Sequence, residues 1–371
     1  MRALLCLAAA ALFAISALVF GQSTPLAKPS AVPIVSYAYI GSDTGKITAF
    51  AVMPDGSARS VPGSPFSGPS MSLNVSSGYL FASDLRFIAT YTRAQNGSLR
   101  LTSQIDGTAH NPSADSAVQS LTLDRSGASL YAGELYFDGG NNAYAFFGIG
   151  SGGRLRFLAN SEASGFYSVP LSFSQSNKYA YHTGCRLLLW TIFGDVRSAD
   201  GRLTAFDPKE DFVPPNPTGD ILCPGAIAAS AKGYLALDYS PAFDGAQQSL
   251  VTYRINTNGT LNVVPHSAFV TQSTGFSELR FDPSGTFLAA VGRNGLSIYR
   301  LLANGRLAPV GFPIATAISF GAVRWDNFGH VFALSSTGIY IFDSSNGVLM
   351  PAPGSPHPIA KTVSLAVLPV R

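Results

Sequence analysis

Leu279-Arg280-Phe281-Asp282-Pro283-Ser284-Gly285, followed by the runs Phe287 to Val291 and Leu296 to Leu301 and then by Asn304-Gly305-Arg306-Leu307, is the stretch that decides the fold. An alternating run ends in an Asp-Pro-Ser-Gly turn, two further β-rich runs follow, and an Asn-Gly hairpin leads into a fourth. Asn-Gly and Asp-Gly are the strongest hairpin signals in a single sequence, because they tolerate positive φ best. The stretch therefore reads as four short antiparallel strands, A to D, with no helical spacing of apolar residues.

The unit recurs along the chain. A Gly preceded by Asp, Asn or Gly follows a β-rich run seven times: Asp55-Gly56, Asn96-Gly97, Gly152-Gly153, Asp200-Gly201, Asn258-Gly259, Asn304-Gly305 and Asn346-Gly347. Six of these are followed two residues later by Leu, and the first by Ala58. The opening strand and turn recur as Leu121-Thr122-Leu123-Asp124-Arg125-Ser126-Gly127 and, more weakly, at Leu73 to Gly78, Leu171 to Asn177, Ile227 to Gly233 and Val323 to Gly329. Repeats of roughly 40 to 57 residues, each four strands, are the blades of a propeller. The predicted fold is all-β, a seven-bladed β-propeller of four-stranded antiparallel blades. The first hairpin has only two strands before it, Tyr37 to Ile40 and Ile47 to Val52. Ser364-Leu365-Ala366-Val367-Leu368 at the other end of the chain matches the missing strand, so the C-terminal strand is predicted to complete the first blade and remove a free sheet edge.

Composition agrees. Only 12% of residues are charged, and 37 glycines and 24 prolines make the chain turn-rich. The net charge of +3 is small and the basic residues are scattered, which argues against nucleic acid as a partner. Met1-Arg2-Ala3, an apolar run from Leu4 to Phe20 and the small residue Gly21 read as a signal peptide over residues 1–21, with Cys6 inside its apolar core. A short linker over 22–35 and one propeller domain over 36–371 follow. The expectation is a secreted or periplasmic monomer with no membrane span after signal cleavage.

Phe281-Asp282-Pro283-Ser284-Gly285, Asn304-Gly305-Arg306-Leu307, and Pro62-Gly63-Ser64-Pro65-Phe66 with its repeat Pro353-Gly354-Ser355-Pro356-His357 resemble the lactonase-like seven-bladed propeller family, which includes 6-phosphogluconolactonases. The resemblance spans essentially all of the chain after the signal. It implies the propeller fold and, as one activity, hydrolysis of a sugar lactone. These motifs end strands and build turns, so they carry fold more than activity.

In a propeller the B–C and D–A loops share one face, where function usually sits. A lactone hydrolase needs a base and a cation or donor for the developing oxyanion. His182, Arg186 and Glu134 are the residue types for those roles, and Asp138, Asn141, Asp220, Asp238, Arg293 and His110 are predicted to line the same face as ligand-binding groups. No compact His spacing suggests a metal, no Gly-x-Ser-x-Gly elbow suggests a serine nucleophile, and no motif names a cofactor. Cys185, read as opening strand C of the fourth blade, and Cys223, read in the loop before the fifth, share that face. They are predicted to form a disulfide, worth about 3 to 4 kcal/mol through loop closure. The leading expectation is a binding or interaction scaffold whose upper face takes a small molecule, glycan or protein; the alternative is the lactonase.

Overall fold

The computed structural model describes residues 33–76, 78–110, 116–136, 143–162, 170–186, 189–206, 222–241, 248–273 and 275–370; side chains are described over a slightly narrower set, which omits those of Cys185 and Arg186. The predicted signal peptide lies outside the described residues. Ile34–Arg371 forms one compact unit.

Seven antiparallel sheets follow one another, each built on four strands, and three of them carry a short fifth strand paired with strand C. Blade 2 runs Ser72–Val75 (A), Tyr79–Ser83 (B), Phe87–Arg93 (C) and Leu99–Asp106 (D). Blades 3 to 7 repeat that order with strands A at Ser116–Leu123, Ser172–Phe173, Leu222–Ala229, Phe276–Phe281 and Phe320–Trp325. Blade 1 takes B, C and D from Ser36–Ser42, Lys46–Val52 and Ala58–Ser60, and its strand A is Thr362–Pro369. That last strand pairs antiparallel with Ser36–Ser42, Tyr39 opposite Ala366 and Ile40 opposite Leu365, so the predicted closure is the one the ring uses. Among the described residues the only helical element is a 3-10 turn at Ser151–Gly153.

The alternation within each strand explains why the blades stack. Tyr37 and Tyr39 point to one side of their strand and join Leu80, Ala82 and Tyr91 of blade 2; Ala38 and Ile40 point to the other and join Phe332, Leu334 and Ile341 of blade 7. All seven buried apolar clusters of the described residues straddle a pair of adjacent blades in this way. A blade thus has no core of its own and becomes stable only between two neighbours.

The C–D hairpins are the second element of every seam. Tyr39, Tyr131 and Tyr181 donate their hydroxyls to the carbonyls of Gly97, Gly201 and Gly259 in the following blade, at 2.9, 2.6 and 2.7 Å. Thr90 and Thr252 do the same to Gly153 and Gly305. Arg300 reaches Asn346 O, and the ring of His330 reaches Pro54 O across the closing seam. At all seven hairpin glycines φ is positive, and a Cβ would come within 3.0 Å of a heavy atom.

The hairpins also correct the reason for their sequence. In blades 1, 2, 4, 5 and 6 only the Gly takes positive φ; the preceding Asp or Asn does not. Its side chain instead accepts from the residue two positions on, as Asp55 Oδ1 does from the Ser57 N–H at 3.0 Å and Asn96 Oδ1 from the Ser98 N–H at 3.1 Å. Asn346, with φ of 54°, and Gly152, with φ of 70°, are the two copies that follow the predicted pattern.

Several assignments near the B–C end shift. Glu134, His182 and Asp238 lie inside strands B of blades 3, 4 and 5 (Ser129–Tyr136, Tyr179–Arg186 and Tyr234–Pro241), not in loops. Cys185 belongs to the end of that strand B of blade 4, and Cys223 to strand A of blade 5. These strands run further than their apolar pattern because inter-blade packing buries both faces, and polar residues at their ends read as loop.

Deleting residues 362–371 strips one wall from two seams and exposes the edge of Ser36–Ser42. We expect a single cooperative loss, with the thermal midpoint down by roughly 10 °C or more. A truncated chain that melts with the full-length protein would refute the closure.

Candidate functional site

The innermost strands build the site. A cavity of about 970 Å³ runs along the propeller axis and is lined by strand A, or the turn after it, from all seven blades. Its walls include Ser76, Gly127, Ala231, Pro283, Asn327 and Val370, residues that follow strands A, so its mouth lies at the A–B end. This is the end opposite the B–C loops on which the candidate residues were placed.

Charge in this cavity comes mainly from arginine. Glu278 of blade 6 accepts from Arg280 Nε at 2.9 Å, from Arg324 Nη1 of blade 7 at 2.6 Å and from the Val323 N–H at 2.8 Å. Burial alone would raise its pKa, but the two guanidinium charges and the Val323 N–H outweigh burial and hold it ionised. Arg125, from the A–B turn of blade 3, passes blade 4 and reaches blade 5, donating Nε to Phe173 O at 3.0 Å and Nη2 to Ala229 O at 3.1 Å. Burial lowers its pKa without making it neutral at any ordinary pH. Asp124 is matched by Arg197 at 2.5 Å.

The B–C end presents a different chemistry. Glu134 and Asp238 are 1% and 0% exposed. The Asp238 carboxyl fills the space left by Gly225, where a Cβ would stand 2.8 Å from Oδ2. No donor meets either oxygen in hydrogen-bond geometry. Burial pushes its pKa up to about 8, opposed only in part by the N–H groups of Ala226 and Asp238 itself, so the carboxyl is protonated at neutral pH.

His182, 4% exposed, lies in the seam between blades 3 and 4. It stacks on Phe193 with centroids 5.0 Å apart, meets the Tyr144 ring edge-on at 5.5 Å and stands 3.6 Å from Asp195. Burial takes its pKa down to about 4 and that of Asp195 up to about 7. A neutral imidazole walled off from water is a weak base, and its described contacts are those of a seam filler.

Arg293 is exposed at the B–C turn of blade 6, its N–H bonded to Gly275 O. His110 stacks on Phe157 at 3.8 Å, against the outermost strand of blade 3 and away from the axis. Asp138, Asn141 and Asp220 lie outside the described residues, as does the Arg186 side chain. The structure therefore sets Glu134, His182 and Asp238 on strands B of three consecutive blades and separates His110 from them. Among the described residues no three His, Cys, Asp or Glu side chains gather as metal ligands.

The cavity arginines were missed by sequence reasoning, although a signal existed. Arg280-Phe281-Asp282 and Arg324-Trp325-Asp326 put an Arg at the same repeat position in adjacent blades.

No family model and no curated protein matches the chain. Solved structures do. A putative 6-phosphogluconolactonase from Bacteroides fragilis superposes with a TM-score of 0.67 at 17% identity, covering 92% of this chain and 100% of that one. A second putative 6-phosphogluconolactonase, from Bacteroides uniformis, gives 0.70 at 15%, covering 91% and 100%. The periplasmic gluconolactonase of Pseudomonas aeruginosa gives 0.69 at 15%, with the same coverage. The resemblance to lactonase-like propellers is thus real and, at these identities, one of fold.

Proposed function

We propose that this chain is an exported binding propeller that holds a small molecule in its central channel. The observation carrying this reading is the axial cavity of about 970 Å³, to which every blade contributes. That volume is at the upper end of the range typical of small-ligand sites, and its lining combines apolar walls from blades 1 and 5 with polar side chains such as Asn74, Arg125, Arg280 and Asn327. Export rests on the sequence of residues 1–21 and on the likeness to a periplasmic protein. Among the described residues no helix is long and apolar enough to cross a membrane.

A second reading, lactone hydrolysis, is favoured by Asp238. A carboxyl protonated up to about pH 8 is the kind of group that donates a proton or hydrogen bond to a substrate oxygen, and at 0% exposure it can do so only where the Gly225 backbone over it gives way. The Glu134 carboxyl, on blade 3, is the partner to test with it.

One experiment separates these readings. The purified protein is screened by thermal shift against sugars, aldonic acids and their lactones, and lactone opening is followed in parallel. The binding reading expects at least one ligand to stabilise the protein, and expects Ala231→Trp, which fills the cavity wall at an A–B turn, to lose that shift while melting as the parent does. A ligand that stabilises both proteins equally binds elsewhere and overturns the channel assignment. Lactone opening above buffer that Asp238→Asn removes would favour the enzyme.

We also infer that Cys223 pairs with Cys185. The strands that carry them belong to adjacent blades, and Thr183, two residues before Cys185, donates to Gly225 O, two residues after Cys223, at 2.9 Å. The intact mass of the unreduced protein should be lower by two hydrogens and resist alkylation. Two alkylated thiols would refute the pairing.

A further inference from the structure

We propose that the A–B mouth of the channel is a site for a small dianion, bearing either a phosphate or two carboxylates, with Arg125, Arg280 and Arg324 as its cationic walls. The inference rests on the channel-binding reading and adds the charge of the ligand.

Arg93, Arg125, Arg280 and Arg324 line the cavity. Asp124 is neutralised by Arg197, which leaves Glu278 and Asp282 as the carboxylates that face them. Asp282 is committed to its own turn, accepting from the Ser284 hydroxyl at 2.5 Å and from the N–H groups of Thr286 and Phe287, both at 2.7 Å. Glu278 has both oxygens engaged. Arg125, Arg280 and Arg324 thus line the cavity beside two carboxylates whose oxygens are already engaged.

Arg125, exposed at this mouth, has two backbone carbonyls as its described partners, and no carboxylate is among them. Those bonds use Nε and Nη2 and leave Nη1 for a ligand. Arg324 spends Nη1 on Glu278 and Val323 O, and Arg280 spends Nε on Glu278, so each keeps other donors. A planar guanidinium with two donors to spare matches a carboxylate or phosphate edge. Arg125 is anchored on blades 4 and 5, and Arg280 and Arg324 belong to blades 6 and 7. The donors thus reach the cavity from different sectors of its wall, which suits two anionic groups or one doubly charged one.

The test uses the full mature chain with three probes: inorganic phosphate, succinate and, as a neutral control of similar size, glucose. Isothermal titration at low ionic strength should show phosphate or succinate binding, weakened by added sodium chloride. Arg125→Gln should weaken it about tenfold or more without lowering the melting temperature. Arg280→Gln, at a side chain 35% exposed, provides a second variant and should act likewise. Preference for phosphate over succinate, or the reverse, identifies the anionic group. If neither anion binds while glucose or a screened neutral sugar still fills the channel, the charge assignment is wrong and the channel reading stands. Anion binding that both Gln variants leave unchanged also overturns the site.

Discussion

The ring depends on a contact made at each seam, in which a side chain of one blade closes on the C–D hairpin of the next. Most often it is a buried Tyr or Thr hydroxyl on the carbonyl of the hairpin glycine. A buried hydroxyl needs a partner, and an intramolecular hydrogen bond contributes about 1 kcal/mol net. Geometry matters more than that energy. Glycine is required twice over at these turns, by its positive φ and by the neighbouring side chain that occupies the place of a Cβ. The contact therefore sets how closely blades approach, and the apolar cluster beside it supplies most of the stabilisation.

The closing seam adds a charged version. His330 has Nδ1 2.7 Å from Asp326 and Nε2 3.2 Å from Pro54 O, an arrangement in which both ring nitrogens donate, as only the imidazolium can. Burial works against the charge, but the bond to Asp326, its charge and the Pro54 carbonyl outweigh it, so the pKa is raised. Asp326 also accepts from Ser36 on blade 1 at 3.0 Å. Seven seams fixed at this spacing hold strands A around an open axis, and the cavity follows from that ring of edges. Its charge follows from residues that a strand A and its turn place there in blades 3, 6 and 7.

The fold was legible because its signals are local and repeated. Asn304-Gly305 and its six relatives mark hairpins whatever surrounds them, and Ser364 to Leu368 could be matched to a vacancy in the first blade. The role of Asp55 and Asn96 as side-chain acceptors, and the contact of Gly97 with Tyr37, were not legible, since the first depends on the turn subtype and the second on the neighbouring blade. The candidate site was read less well for the same reason. Polar residues such as His182 and Asp238 resemble loop residues in a linear sequence, whereas the structure buries them on strands B. Convergence of Arg125 with Arg280 and Arg324 joins positions more than 150 residues apart, and only the closed ring brings them to one cavity.

The central claim is that the hairpin glycines are docking points between blades and not merely turn residues. Gly97 and Gly233 separate the two roles: both have positive φ, of 85° and 78°, but a Cβ at Gly97 would run into Tyr37 of blade 1, whereas at Gly233 it would meet no atom within 4 Å. The measurement is the unfolding free energy of Gly97→Ala beside that of Gly233→Ala. Both should lose about 1 to 2 kcal/mol to backbone strain, and Gly97→Ala should lose about 1 to 3 kcal/mol more from overpacking the seam. Equal losses would contradict the account.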